Sequence, residues 1–252
     1  MFQNFGEMLL LFVAVGRALP RVWRERRKVA EQLFDIGNAS LFMACTLSLF
    51  IGGVLALQTG PVLVERGLGS ALGGLVALGL CKELAPVMMA VLIAGRIGSA
   101  MAAELGSMRV YQEIDALRTL NINPVHYLVL PRVVAIGLAL PCLVVFANLV
   151  GWLGGAIVSL LNDRIAVSWS GYFGNIRETV DFSDVANGLV KSFVFAVVIG
   201  VVSCHQGLTT LGGPRGVGRS VTKAVVNSLV LILLLDYVLT RVLLPFDKGW
   251  RF

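Results

Sequence analysis

Residues 132–161 read RVVAIGLALPCLVVFANLVGWLGGAIVSLL, and after Arg132 the run holds no Asp, Glu, Lys or Arg. About 20 apolar residues at 1.5 Å rise each suffice for a helix to cross the hydrocarbon of a bilayer, and a helix satisfies its own backbone there. Four further runs pass the same test, at residues 40–58, 71–104, 185–205 and 224–244. The chain therefore reads as an all-α integral membrane protein with five transmembrane helices.

Composition leads to the same class. Of 252 residues, 57% are hydrophobic and 14% charged, with a mean hydropathy of +0.83, against roughly 45–50% and about 25% for a soluble domain. Disordered, fibrous and water-soluble classes are excluded together, because too little polar surface remains to cover a core of this size. Cys45, Cys81, Cys142 and Cys204 stand singly in apolar runs, which supports neither a disulfide framework nor a zinc site. Residues 1–39 form a separate region. Leu9 to Val15 is apolar but short, and the basic residues Arg17, Arg21, Arg24, Arg26, Arg27 and Lys28 follow it. A secretory signal has the opposite order, so this region is read as an amphipathic helix lying in the headgroup plane, with a sixth, short span as the alternative. The membrane domain then occupies 40–252.

The formal charge of +6, from 21 Lys plus Arg and 15 Asp plus Glu, is a topology signal here and not a nucleic-acid footprint. With the N-terminus cytoplasmic, that side receives six basic residues in 1–39, three in 105–132 and three in 206–223. The opposite side receives Arg66, Arg164, Arg177, Arg241, Lys248 and Arg251, with Asp163, Glu178, Asp181 and Asp184 among its loop acids. The count favours N-in, C-out.

Charges inside the spans cost several kcal/mol each and face a cavity or a partner. They are Lys82, Glu83, Arg96, Lys191 and Asp236. Glu83, Lys191 and Asp236 fall about twelve, six and eight residues in from the outer ends of their spans, so they share a depth range and a Lys can sit between two acids. The pattern admits a polar transport site in an outward-opening cavity or a structural ion pair between helices. Small pairs such as Ala94/Gly98 and Gly151/Gly155 predict close helix packing, within or between chains, and Pro86 and Pro141 predict bends.

Between the second and third spans, residues 104–120 read ELGSMRVYQEIDALRTL. Val110, Ile114 and Leu117 make one narrow apolar stripe, which predicts a short amphipathic helix. NINP at 121–124 ends it, because the residue before a proline avoids the α region. With acids at Glu104, Glu113 and Asp115, the segment suits a protein groove better than an anionic membrane. The glycine-rich GGPRGVG at 212–218 reads as a flexible turn, and no G-x-x-x-x-G-K-[ST] nucleotide loop is present. His126 and His205 lack a nucleophile constellation, which leaves a hydrolase or acyltransferase unsupported. An ion- or proton-coupled secondary transporter using Glu83, Lys191 and Asp236 is the alternative reading.

GRIGSAMAAELGSMRVYQEIDALRTLNINPVHYLVLPRVVA at 95–135 closely resembles the signature block of MlaE/YrbE-type permeases, the membrane subunits of lipid-moving ABC transporters. The resemblance runs back through KELAPVMMAVLIAGR at 82–96 and forward through VKSFVFAVVIG at 190–200 and GVGRSVTKAVVNSLVLILLLDYVLT at 216–240. It implies a permease homodimer in the bacterial inner membrane, joined to cytoplasmic ABC ATPase subunits and a periplasmic MCE-domain protein, with phospholipid as cargo. The chain itself would be no enzyme and hold no cofactor, since ATP and Mg belong to the ATPase. Residues 104–120 become the coupling helix, with Glu104, Leu105, Gly106, Met108, Arg109, Val110, Glu113, Ile114, Asp115 and Leu117 as its docking residues. Glu83, Arg96, Lys191 and Asp236 become transport residues, with Lys191 or Arg96 meeting headgroup charge.

Overall fold

The computed structural model describes residues 2–18, 20, 22, 25–165 and 167–243, and every regular element among them is helical. The counted charges Arg21, Arg24, Lys248 and Arg251 and the span end at Leu244 lie outside the described residues. In chain order the helices are α1 (Phe2–Ala18), α2 (Arg26–Glu65), α3 (Gly69–Val110), α4 (Glu113–Thr119), α5 (Val125–Leu161), α6 (Trp169–Thr179), α7 (Phe182–Leu208) and α8 (Gly213–Leu243). Five of them, α2, α3, α5, α7 and α8, are long and apolar enough to cross a membrane.

The helices outrun the apolar stretches. α2 has 40 residues, about 60 Å at helical rise, twice the roughly 30 Å of hydrocarbon. It begins at Arg26 and not at 40, because residues 26–39 are polar but contain no proline, and Arg27 pairs with Glu31 one turn on at 3.0 Å. Likewise α8 starts at Gly213, so five of the six residues after Gly212 in the glycine-rich stretch extend a helix already begun. The expected flexible turn shrinks to Gly212 and Gly213, both at positive φ.

Two prolines act through π turns. Leu80–Leu84 and Val125–Val129 are π-helical, and Pro86 and Pro131 each follow two residues later. A proline cannot donate to the carbonyl four residues back. In both places the bonding lengthens: Ala85 N–H donates to Leu80 O, and Leu130 N–H to Val125 O. The bend expected at Pro86 thus takes the form of an inserted residue.

The chain divides into two compact units, with the division falling inside the long helices. Unit 1 comprises Met1–Ala39, Ala90–Leu140 and Phe193–Leu235. Its core joins Leu11, Val15 and Ala18 of α1 to Leu105, Ile114, Leu128, Val129, Leu130, Val133 and Val201. α1 therefore packs one face into the protein while Leu9, Leu10, Phe12 and Val13 stay exposed, as an interfacial helix does.

Unit 2 comprises Ser40–Met89, Pro141–Ser192 and Asp236–Phe252. Its core is Leu72, Val76, Leu80, Ala156, Tyr172 and Ile176 with their neighbours. Here the small residues work within the chain: a Cβ on Gly52 of α2 would overlap the Gly151 carbonyl of α5. α6 is capped by Ser168, whose Oγ accepts from Gly171 N–H at 3.2 Å, and Asn175 Oδ1 accepts from Gly74 N–H at 2.6 Å.

Candidate functional site

The first π turn of α3 carries Lys82 and Glu83, and in unit 2 both reach α7. Close approach makes this possible, since a Cβ on Gly188 of α7 would overlap the Cys81 carbonyl. Lys191 Nζ lies 2.7 Å from Glu83 Oε2, 3.1 Å from Asp236 Oδ1 of α8 and 2.7 Å from Thr240 Oγ1. An ammonium has three protons to give, and each has an acceptor. Thr240 sits one helical turn after Asp236 and lies 3.2 Å from Glu83 Oε1, which closes the set. Lys191 is 2% exposed, whereas the Glu83 side chain is 43% exposed.

The arrangement carries one excess negative charge and ties three membrane helices together. With all three protons engaged, this ammonium takes a further acceptor only if one of its bonds is broken. Glu83 is the member an incoming group reaches first. A second pair stands beside it, Lys82 Nζ to Asp184 Oδ1 at 3.1 Å, with Asp184 buried. Asp184 Oδ2 also accepts from Asp181 N–H at 2.9 Å, at the start of α7. Asp184, one of the four acids counted on the outer side, is thus buried against Lys82 at the start of α7.

The sequence-derived transport residues are thus partly brought together. Glu83, Lys191 and Asp236 form one cluster in unit 2, while Arg96 belongs to unit 1, exposed, on the second π turn of α3, Ala94–Gly98. Thr240 was missed, although its signal was present: a hydroxyl four residues after Asp236 shares its helix face. Asp184 carried no comparable signal, because a charge at a span end is ordinary.

The segment 104–120 is in unit 1 and is two pieces, not one helix. Residues 104–110, with Glu104, Met108, Arg109 and Val110, end α3; Gln112 adopts φ 61°, and α4 spans Glu113–Thr119. Arg109 Nη1 bridges the break to Asp115 Oδ1 at 2.6 Å. The break expected at NINP is present, with Asn121 at φ 59° and Asn123 Oδ1 accepting from Val125 N–H at 2.9 Å.

The apolar stripe faces the core of unit 1. Leu105, Gly106 and Ile114 are buried, and Met108 and Leu117 pack against the core of unit 1. Ile114 finds its burial within the chain, and Leu117 is partly covered there. The outward residues are Tyr111 and Leu120, 72% and 70% exposed, with Gln112, Glu113 and Arg118.

The family model described as Permease MlaE matches residues 29–242 of the chain. A probable ABC transporter permease protein of Synechocystis is 38% identical over 239 residues, covering 94% of this chain and 90% of that protein. One of Rickettsia felis is 38% identical over 239 residues, 95% and 92% of the two chains. The chloroplastic protein Trigalactosyldiacylglycerol 1 of Arabidopsis thaliana is 38% identical over 232 residues, 90% of this chain and 65% of its own length.

Proposed function

Since the chain belongs to the MlaE family of ABC transporter permeases, we propose that it is the membrane subunit of a transporter moving phospholipid between the inner membrane and the outer envelope. Carrying this reading is its 38% identity to a relative whose name is that of a glycolipid, trigalactosyldiacylglycerol. A separate cytoplasmic ATPase supplies the energy, a second copy of the chain completes a homodimer, and an MCE-domain protein receives or delivers lipid in the periplasm.

The residues divide the work. Lys191, held by Glu83, Asp236 and Thr240, positions the three helices, and Glu83 is the half-exposed carboxylate of the set. Arg96, exposed on α3, is suited to an anionic headgroup. The exposed face around Tyr111, Glu113 and Leu120 meets the ATPase, while Ile114 and Leu117 carry any displacement of α4 into the core shared with α1 and α5.

Affinity purification of the tagged chain from its native membrane should bring down an ABC ATPase and an MCE-domain protein. The purified complex in proteoliposomes should transfer labelled phospholipid only with ATP. Transfer driven by a proton or ion gradient without nucleotide would overturn the reading.

A further inference from the structure

α6 and the start of α7 carry a feature that transport does not use. Trp169, Phe173, Ile176 and Val180 recur as one helical stripe, and the Trp169 and Phe173 rings stand 4.8 Å apart. Beside the stripe runs a groove of about 400 Å³, floored by Trp152 of α5, Phe173, Ile176 and Val180, and by Phe182 and Val185 of α7. Phe182 is 88% exposed. Aromatic side chains so displayed belong at the water–bilayer boundary. The two charged residues lining the groove, Arg177 and Asp181, are both exposed at its rim.

An apolar floor with one cation and one anion at the rim is the complement of a zwitterionic amphiphile. We propose that this groove holds one phospholipid of the phosphatidylethanolamine type from the adjacent leaflet, an acyl chain against Trp152 and Phe173, its phosphate at Arg177 and its amine at Asp181. At about 400 Å³ the groove takes one acyl chain, and the rest of the lipid stays in the leaflet beside it. A lipid with the phosphate but no amine leaves Asp181 facing an anionic headgroup and is disfavoured. The assignment is independent of what the transporter carries, because it needs only that the chain lies in a bilayer.

The test is quenching of Trp152 fluorescence in the full chain carrying Trp23→Phe, Trp169→Phe and Trp250→Phe, in phosphatidylglycerol nanodiscs. A minor fraction of the lipid is replaced by phosphatidylethanolamine or phosphatidylglycerol brominated on the acyl chain. Brominated phosphatidylethanolamine should quench roughly threefold more, the size expected for exposed charge pairs. Arg177→Gln with Asp181→Asn should make the two lipids equal. Equal quenching in the parent chain, or a preference that survives the double substitution, overturns the site.

Discussion

Units 1 and 2 each bury a basic side chain and treat it in opposite ways. In unit 2 the Lys191 ammonium has three acceptors for three protons. In unit 1 Arg132, 8% exposed, donates from Nη2 to Glu104 at 2.8 Å, while its buried Nη1 has no hydrogen-bond partner among the described residues. His205 is similar, with Nε2 3.5 Å from Glu7 Oε2 and Nδ1 unpartnered. A saturated buried ion has one good arrangement, and any shift costs it a bond. An under-satisfied set has bonds to gain by moving. Unit 2 is therefore expected to hold its geometry around the cluster, whereas unit 1, which contains α4 and the proposed ATPase-facing residues, keeps hydrogen-bonding capacity that a shift could satisfy.

The sharpest way to break this contrast is Lys191→Met. Removing the cation leaves two acids without their partner and costs about 3–5 kcal/mol, read as a fall in membrane abundance and in the unfolding temperature of the purified protein. Pairing it with Glu83→Gln should restore part of the loss. The restored complex should bind its ATPase yet fail to move lipid. Wild-type abundance of Lys191→Met alone would show that the cluster holds nothing together, and wild-type lipid transfer by the double variant would reduce it to scaffolding.

Next in size is a pair of substitutions on the two faces of the 104–120 segment. Ile114→Asp places a carboxylate in the core of unit 1 and should cost about 2–4 kcal/mol, with loss of folded protein. Leu120→Asp, at a position 70% exposed, should leave abundance unchanged and weaken co-purification of the ATPase. Full retention of the ATPase by Leu120→Asp would move the docking face elsewhere.

Arg132→Met follows. It deletes one good hydrogen bond but also an unsatisfied N–H, so about 1 kcal/mol is expected, well below Lys191→Met. Thermal unfolding of the two variants side by side measures the contrast directly. Equal losses would mean that Arg132 is as fully satisfied as Lys191.

The membrane helices were legible in the sequence because length and apolarity decide them. Their ends were not: nothing in 26–39 stops a helix, so α2 runs on past the apolar stretch. α6 escaped notice because Gly171 and Gly174 lower its propensity, and its stability comes from a contact with Gly73 and Gly74 that only the fold creates. Lys191 between Glu83 and Asp236 was readable, because few charges share one depth in an apolar chain. The stripe of Ile114 and Leu117 showed its period but not its direction. A buried face looks the same in sequence whether its cover is the chain's own core or another protein.

Unit 2 also holds an exception that sharpens the comparison. Tyr172 of α6 is fully buried and its Oη has no hydrogen-bond partner among the described residues, and burial pushes its phenol above the ordinary tyrosine value. The folded state thus holds this proton more tightly than the unfolded state. The stability so contributed is whole below the unfolded pKa of about 10 and is lost as pH climbs from there toward the raised folded value. Tyr172→Phe removes an unpaired hydroxyl from an apolar core and should change stability by less than about 1 kcal/mol near neutrality. It should also flatten the alkaline limb of the unfolding temperature against pH. A larger loss near neutrality would show that the hydroxyl has a partner in the membrane-bound protein, and an unchanged alkaline limb would assign that limb to other groups.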